Sequence, residues 1–226
     1  MLFNSKEIKQ LLKLSDCELM HTRKAGKIFY EKYGAAYFYQ LPDAEVLLNH
    51  PLADKLTDWY KDRHDIDLDN MPNDQLSKDL ICDLIGHILI PIERKFGDIT
   101  ITYGFTSAKL NRFIQKESAQ GTYPSLDQHS ACERNTKGKH ICERGGLACD
   151  FTVEEFENRM NKVTDFIVNN LNFDKIYYYG EDRPVHISIN KICERHLQIM
   201  NLSKNGRRIP GKRAYGEDAK LLTAEL

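Results

Sequence analysis

The chain has 226 residues, 41% hydrophobic and 29% charged, with a formal net charge of −1. That is long and apolar enough for one domain with a sizeable core, and it excludes wholesale disorder. The near-zero charge excludes a global field for nucleic acid or an anionic membrane, and no stretch reaches the roughly 20 apolar residues of a membrane span.

The start, MLFNSKEIKQLLKL, is charged at Lys6, Glu7 and Lys9, so no signal peptide is read there and a cytoplasmic protein without membrane contact is expected. Residues 4 to about 33 are expected to be helical, because Ile8, Leu11, Leu12, Leu14 and Leu19 recur at helical spacing behind a capping Asn4 or Ser5. Pro42 and Pro51 each sit where a first helical turn accepts proline. The acidic, weakly periodic DIDLDNMPNDQ then marks an expected boundary.

From Leu76 an amphipathic helix is predicted, ending near Phe96-Gly97. DITITYGF, with Ile99 and Ile101 alternating with Thr100 and Thr102, predicts a strand, and SAKLNRFIQKE a helix. Residues 118 to 149 are irregular, as functional segments of compact domains often are. FTVEEFENRMNKVTDFIVNNL predicts a helix, while DKIYYYG and RPVHISI predict two strands around a turn at Gly180-Glu181-Asp182. In Tyr177-Tyr178-Tyr179, side chains are expected to alternate between core and surface. The expected architecture is α+β: a helical extension over 1–75, a domain with a small antiparallel sheet over 76–200, and a basic tail over 201–226.

Three local signals carry chemistry. Asp127-Gln128-His129 lies in the irregular segment, Gly146-Leu147-Ala148-Cys149-Asp150 ends it, and His186 interrupts the apolar run Val185-His186-Ile187-Ser188-Ile189. Two histidines and a carboxylate from separate elements are the donor set of a catalytic Zn²⁺, which keeps one position open. The expected ligands are His129, Asp150 and His186, with His140 as rival to His129. Cys132, His140, Cys142 and Cys149 form a second, irregularly spaced group without a Cys-x-x-Cys pair. All six cysteines are expected to be reduced thiols.

Over residues 78 to 190 the pattern resembles the zinc D-alanyl-D-alanine metallopeptidases of the Hedgehog-type fold. The helix from Leu80, the strand and turn leading to Asn111, the Gly-x-Ala-x-Asp of Gly146, Ala148 and Asp150, and the late strand histidine His186 carry the resemblance. It implies a Zn²⁺-dependent hydrolase acting on peptide bonds, peptidoglycan-derived ones among them. The family's first histidine stands three residues before the glycine, whereas His129 stands seventeen before Gly146, preceded by Ser125. The family's catalytic acid falls at Arg183, so Asp182 or Glu181 is the expected base, and Arg183 the group that stabilises charge or grips a substrate carboxylate. The family's turn arginine is replaced by Thr106. These departures, together with the basic cluster Lys204, Arg207, Arg208, Lys212 and Arg213, define an alternative: a peptidase-like binding protein associated with nucleic acid.

Overall fold

The longest helical stretch shows how local chemistry sets the elements. Asp74 caps the first turn by accepting from the Leu76 amide, and α5 (Gln75–Leu84) runs into a widened π turn (Ile85–Leu89) and then α6 (Ile90–Phe96). Pro91 has no amide hydrogen to give and clashes with a normal preceding turn; the π turn just before it lets the helix continue. Gly97, at φ 101°, ends it. The computed structural model describes all residues except 65 and 118–125, so Ser125 lies outside the described residues.

Beyond that helix the sequence rises into β4 (Ile99–Tyr103), α7 (Ala108–Glu117), a short 3₁₀ turn (Gln128–Ser130), β5 (Leu147–Val153), α8 (Met160–Asn170), β6 (Lys175–Tyr178), β7 (Val185–Ile189), β8 (His196–Leu202), β9 (Arg208–Ala214) and α9 (Asp218–Thr223). The sheet has the order β4-β5-β7-β6-β8-β9; β6 and β8 run parallel, and every other neighbouring pair is antiparallel. The protein is α+β, but this sheet is mixed and larger than the small antiparallel one expected.

Period-two alternation splits the sheet into two faces. Cys149, Phe151, Ile187, Ile176, Tyr178 and Leu197 are buried on one face, against which α5 packs at β5 and β7. Asp150, His186, Tyr177 and Gln198 line up across the other, in register. Of the three consecutive tyrosines, Tyr178 enters the core.

Five expectations are corrected. Residues 4–33 are not one helix: α1 (Ser5–Leu12) ends at Lys13 in the left-handed region, Ser15 caps α2 (Asp16–Lys24), and an aromatic hairpin follows. In that hairpin β3 (Ala36–Gln40) pairs with both β2 (Tyr30–Tyr33) and β1 (Leu2–Asn4), so the N-terminal region carries a three-stranded sheet. Nor is it an appendage, since Phe3, Ile8 and Leu11 join one continuous core with Ile187 and Leu222.

Residues 151–171 do not form one helix, because Phe151 and Val153 alternate into the core as the end of β5; Glu155, at φ 64°, turns the chain before α8. Residues 201–226 are not a tail. They complete β8, form the edge strand β9 and end in α9, whose Ala219 and Leu222 are buried. The basic cluster is thereby divided, with Lys212 paired to Glu225.

The expected boundary is instead, over residues 66–75, a strap tied to the rest of the fold through the buried Asn70. Asn70 donates to the carbonyls of Thr57 (2.7 Å) and Phe105 (2.8 Å) and accepts from the Ser107 amide (2.8 Å). Thr57 belongs to α3 (Pro51–Asp58), so one side chain joins α3, the strap and the turn after β4. The strap's far end is pinned by Glu133, 2% exposed, whose Oε1 accepts from the amides of Asn73 (3.0 Å) and Asp74 (3.2 Å). Hydrogen bonds to a charged partner are the stronger kind, and losing both leaves two amides without that acceptor. Glu133→Ala is expected to lower stability by about 2–3 kcal/mol, read as a shift of the urea midpoint at unchanged slope.

Candidate metal centre

The centre is assembled from three pieces of chain. Asp150 on β5 lies opposite His186 on β7 in the strand register, and Tyr103 at the end of β4 lies opposite Asp150 on its other side. Gly146 makes the entry to β5 possible: at φ 77°, a Cβ there would stand 2.1 Å from the Ile189 carbonyl oxygen. His129 arrives from the 3₁₀ turn. Asp127 caps that turn, its Oδ1 accepting from the His129 amide at 3.1 Å, while the His129 carbonyl accepts from the Thr106 amide at 2.9 Å.

The His129 ring is 4% exposed and its Nδ1 lies 3.2 Å from the Gly104 carbonyl oxygen. A carbonyl only accepts, so Nδ1 carries the hydrogen, and in the neutral ring Nε2 keeps the lone pair that a metal ion needs. Gly104 reaches this position because a Cβ there would stand 2.3 Å from the Leu56 carbonyl oxygen. Tyr103 packs edge-on against the His129 ring, with centroids 4.4 Å apart. His186 is stacked on Tyr177 at 4.9 Å, which fixes its ring plane.

Donor atoms of His129, Asp150 and His186 all lie within 4.8 Å of one another, so the group can hold a metal ion. Asp150 Oδ1 stands 3.5 Å from His129 Nε2 and 2.6 Å from His186 Nδ1. Ligands around one first-row ion at about 2.0–2.1 Å stand roughly 3.3 Å apart. The first spacing already matches, and the second is a direct hydrogen bond that a cation would replace. The Gly104 carbonyl is an outer partner of the kind metal-binding histidines keep, while Tyr177 holds the His186 ring by stacking alone.

Electrostatics follow from the same packing. Burial acts to raise the Asp150 pKa, but the two histidines outweigh it and hold the carboxyl well below the usual carboxylate range. Burial acts to lower the His129 pKa; Asp127 and Asp150 outweigh it and raise the pKa above its ordinary value. Tyr179 is pushed up to about 12 by burial and then by Asp150, so it is a neutral phenol. Asp150, with 30% of its side chain exposed, opens into a cavity of about 210 Å³ lined also by Tyr179, Arg183, Pro184 and Arg208.

The other expected site residues fall as follows. His140 is not part of the group; its Nδ1 lies 3.0 Å from the Cys132 carbonyl oxygen, on a surface hairpin. Cys149 points from the opposite face of β5 into the core, and among the described residues Cys132, His140, Cys142 and Cys149 do not gather as a second metal group. None of the six cysteines is in a disulfide. Arg183 lines the cavity. Glu181 accepts from Asn161 at 3.0 Å, and neither it nor Asp182 lines the cavity.

In the sequence, Asp127 stands out only as part of the local signal around His129. Its Oδ1 is 3.9 Å from His129 Nε2, and its side chain is 33% exposed. Its charge also adds to the raised pKa of Tyr103 and Tyr179, after burial. The clue in the sequence was its place two residues before His129, where a capping carboxylate is held close to its own histidine.

No protein-family model, curated protein or solved structure matches this chain. Among the described residues, no helix is long and apolar enough to cross a membrane.

Stripped protein titrated with Zn²⁺ is expected to take up one ion per chain. His129→Ala or His186→Ala is expected to weaken uptake by more than the roughly 10–100-fold that loss of an outer partner costs. His140→Ala is expected to leave it unchanged, as read by competition with a colorimetric chelator.

Proposed function

We propose that this protein is a zinc-dependent hydrolase of the D-alanyl-D-alanine metallopeptidase type, acting on peptide bonds, peptidoglycan-derived ones among them. The observation that carries the reading is the convergence of His129, Asp150 and His186 beside a cavity into which only Asp150 of the three opens. The resemblance in order supports it, from the helix before β4 through the Gly-x-Ala-x-Asp of Gly146, Ala148 and Asp150 to His186. His129, Asp150 and His186 would hold Zn²⁺, with His129 bound through Nε2. When bound, zinc supplies a Lewis acid and brings the acidity of water into the neutral range.

The remaining work falls to side chains of the chain itself. Asp127 would be the carboxylate that accepts a proton, since its Oδ1 is held by the His129 amide and stands 3.9 Å from His129 Nε2. This assignment replaces Glu181, whose carboxylate is engaged by Asn161, and Asp182. Tyr103 and Tyr177 exclude water from two sides of the histidine pair and hold the rings in place.

Purified protein loaded with one equivalent of Zn²⁺ is expected to cleave D-alanyl-D-alanine peptides or muropeptide fragments. Chelation should abolish cleavage and added Zn²⁺ restore it. Asp127→Asn is expected to lower kcat by about 10²–10⁴-fold with zinc content unchanged. Absence of cleavage of every peptide in a zinc-replete preparation would overturn the reading.

A further inference from the structure

The cavity beside Asp150 is built by side chains that the metal group does not use. Arg183 comes from the turn before β7, and Arg208 from the start of β9, outside the stretch that resembles the peptidases. Tyr179 forms the wall between them, with the Arg208 guanidinium carbon 5.9 Å from its ring centroid. Arg208 is half-buried and anchored, its Nη1 donating to the Met200 carbonyl oxygen at 3.2 Å. Pro184 stiffens the backbone after Arg183, whose amide donates to the Gly180 carbonyl oxygen at 3.3 Å.

Among the described residues, neither guanidinium has a carboxylate within 4.0 Å. Asp150, the one acid in the cavity wall, is already engaged by His186 at 2.6 Å and by His129 at 3.5 Å. Arg183 is exposed and Arg208 half-buried, and an anion in the cavity they line can be met by the planar forks of both. At about 210 Å³ the space is below the roughly 300–1,000 Å³ of a drug-sized pocket. It suits one compact charged group.

We propose that Arg183 and Arg208 form a subsite for an oxyanion of the ligand, a carboxylate or a phosphate, with Tyr179 as a further hydrogen-bond donor. Together with the hydrolase reading on which this deepening rests, it makes the substrate an anion-bearing molecule whose charged group lies next to the bond held at the metal centre. Arg208 is then a specificity residue contributed by the C-terminal hairpin.

The test is an NMR titration of the zinc-loaded full chain with acetate, with inorganic phosphate and with acetamide as the neutral control. Saturable shifts at the resonances of Tyr179, Arg183 and Arg208 are expected with at least one anion and not with acetamide. Preference for acetate assigns a carboxylate, and preference for phosphate assigns a phosphate ester. Arg183→Ala and Arg208→Ala are each expected to weaken binding by about 10–100-fold, and Arg208→Lys by less, with zinc content unchanged. Anion binding that is equally strong in both alanine variants comes from the metal alone and overturns the proposal, as does a lack of anion binding by the wild-type protein. Repeating the titration on the zinc-free chain separates the two readings, because the arginine subsite is expected to bind there even if no peptide is ever cleaved.

Discussion

Antiparallel pairing of β5 with β7, in the register that sets Asp150 opposite His186, is the constraint from which the site follows. Strand side chains alternate, so a slip of one residue would turn Asp150 into the core and bring Cys149 out. The slip is prevented by Phe151, Cys149 and Ile187, whose burial on the helix-covered face allows one pairing only. A polar pair of strand neighbours is therefore positioned by the apolar residues between them. Gly146 completes the constraint by letting the chain pass against the Ile189 carbonyl at the start of the pairing.

The third member is held by different means. His129 sits on a turn rather than a strand, and turns are positioned only by what ties them down. Here the ties run to the segment after β4: the Gly104 carbonyl takes the ring Nδ1, and the Thr106 amide takes the His129 carbonyl. That segment is itself fixed by Asn70 and by Trp59, whose indole donates to the Phe105 carbonyl oxygen at 2.9 Å. The N-terminal third thus serves the centre without contributing a ligand, because it clamps the backbone that orients one.

The two faces of the sheet divide the labour. One face is apolar and carries the hydrophobic stabilisation that makes folding favourable. The other carries Asp150, His186, Tyr177 and Gln198, and the cost of burying the Asp150 carboxylate is limited by its pairing with two histidines. Arg183 and Arg208 stand out because both line the cavity beside Asp150 and, among the described residues, neither has an acidic partner within 4.0 Å.

Much of this was legible in the sequence where one residue type has one physical use. Alternating Ile99 and Ile101 announced β4, helical spacing after Leu76 announced α5 and α6, and His186 within an apolar strand announced a polar task, since each signal is local. Gly146, Ala148 and Asp150 belonged together for the same reason. What the sequence could not determine depends on partners far along the chain. The alternation of Phe151 and Val153 prevails over helical propensity only because β4 and β7 flank them, and the strap is ordered only because Glu133 and Phe105 receive its polar groups. That His129 rather than His140 gathers with Asp150 and His186, and that Asp127 rather than Glu181 lies beside His129, are choices made by tertiary structure. Both choices depend on distances of a few ångströms between side chains brought together by folding, and spacing along the chain does not encode them.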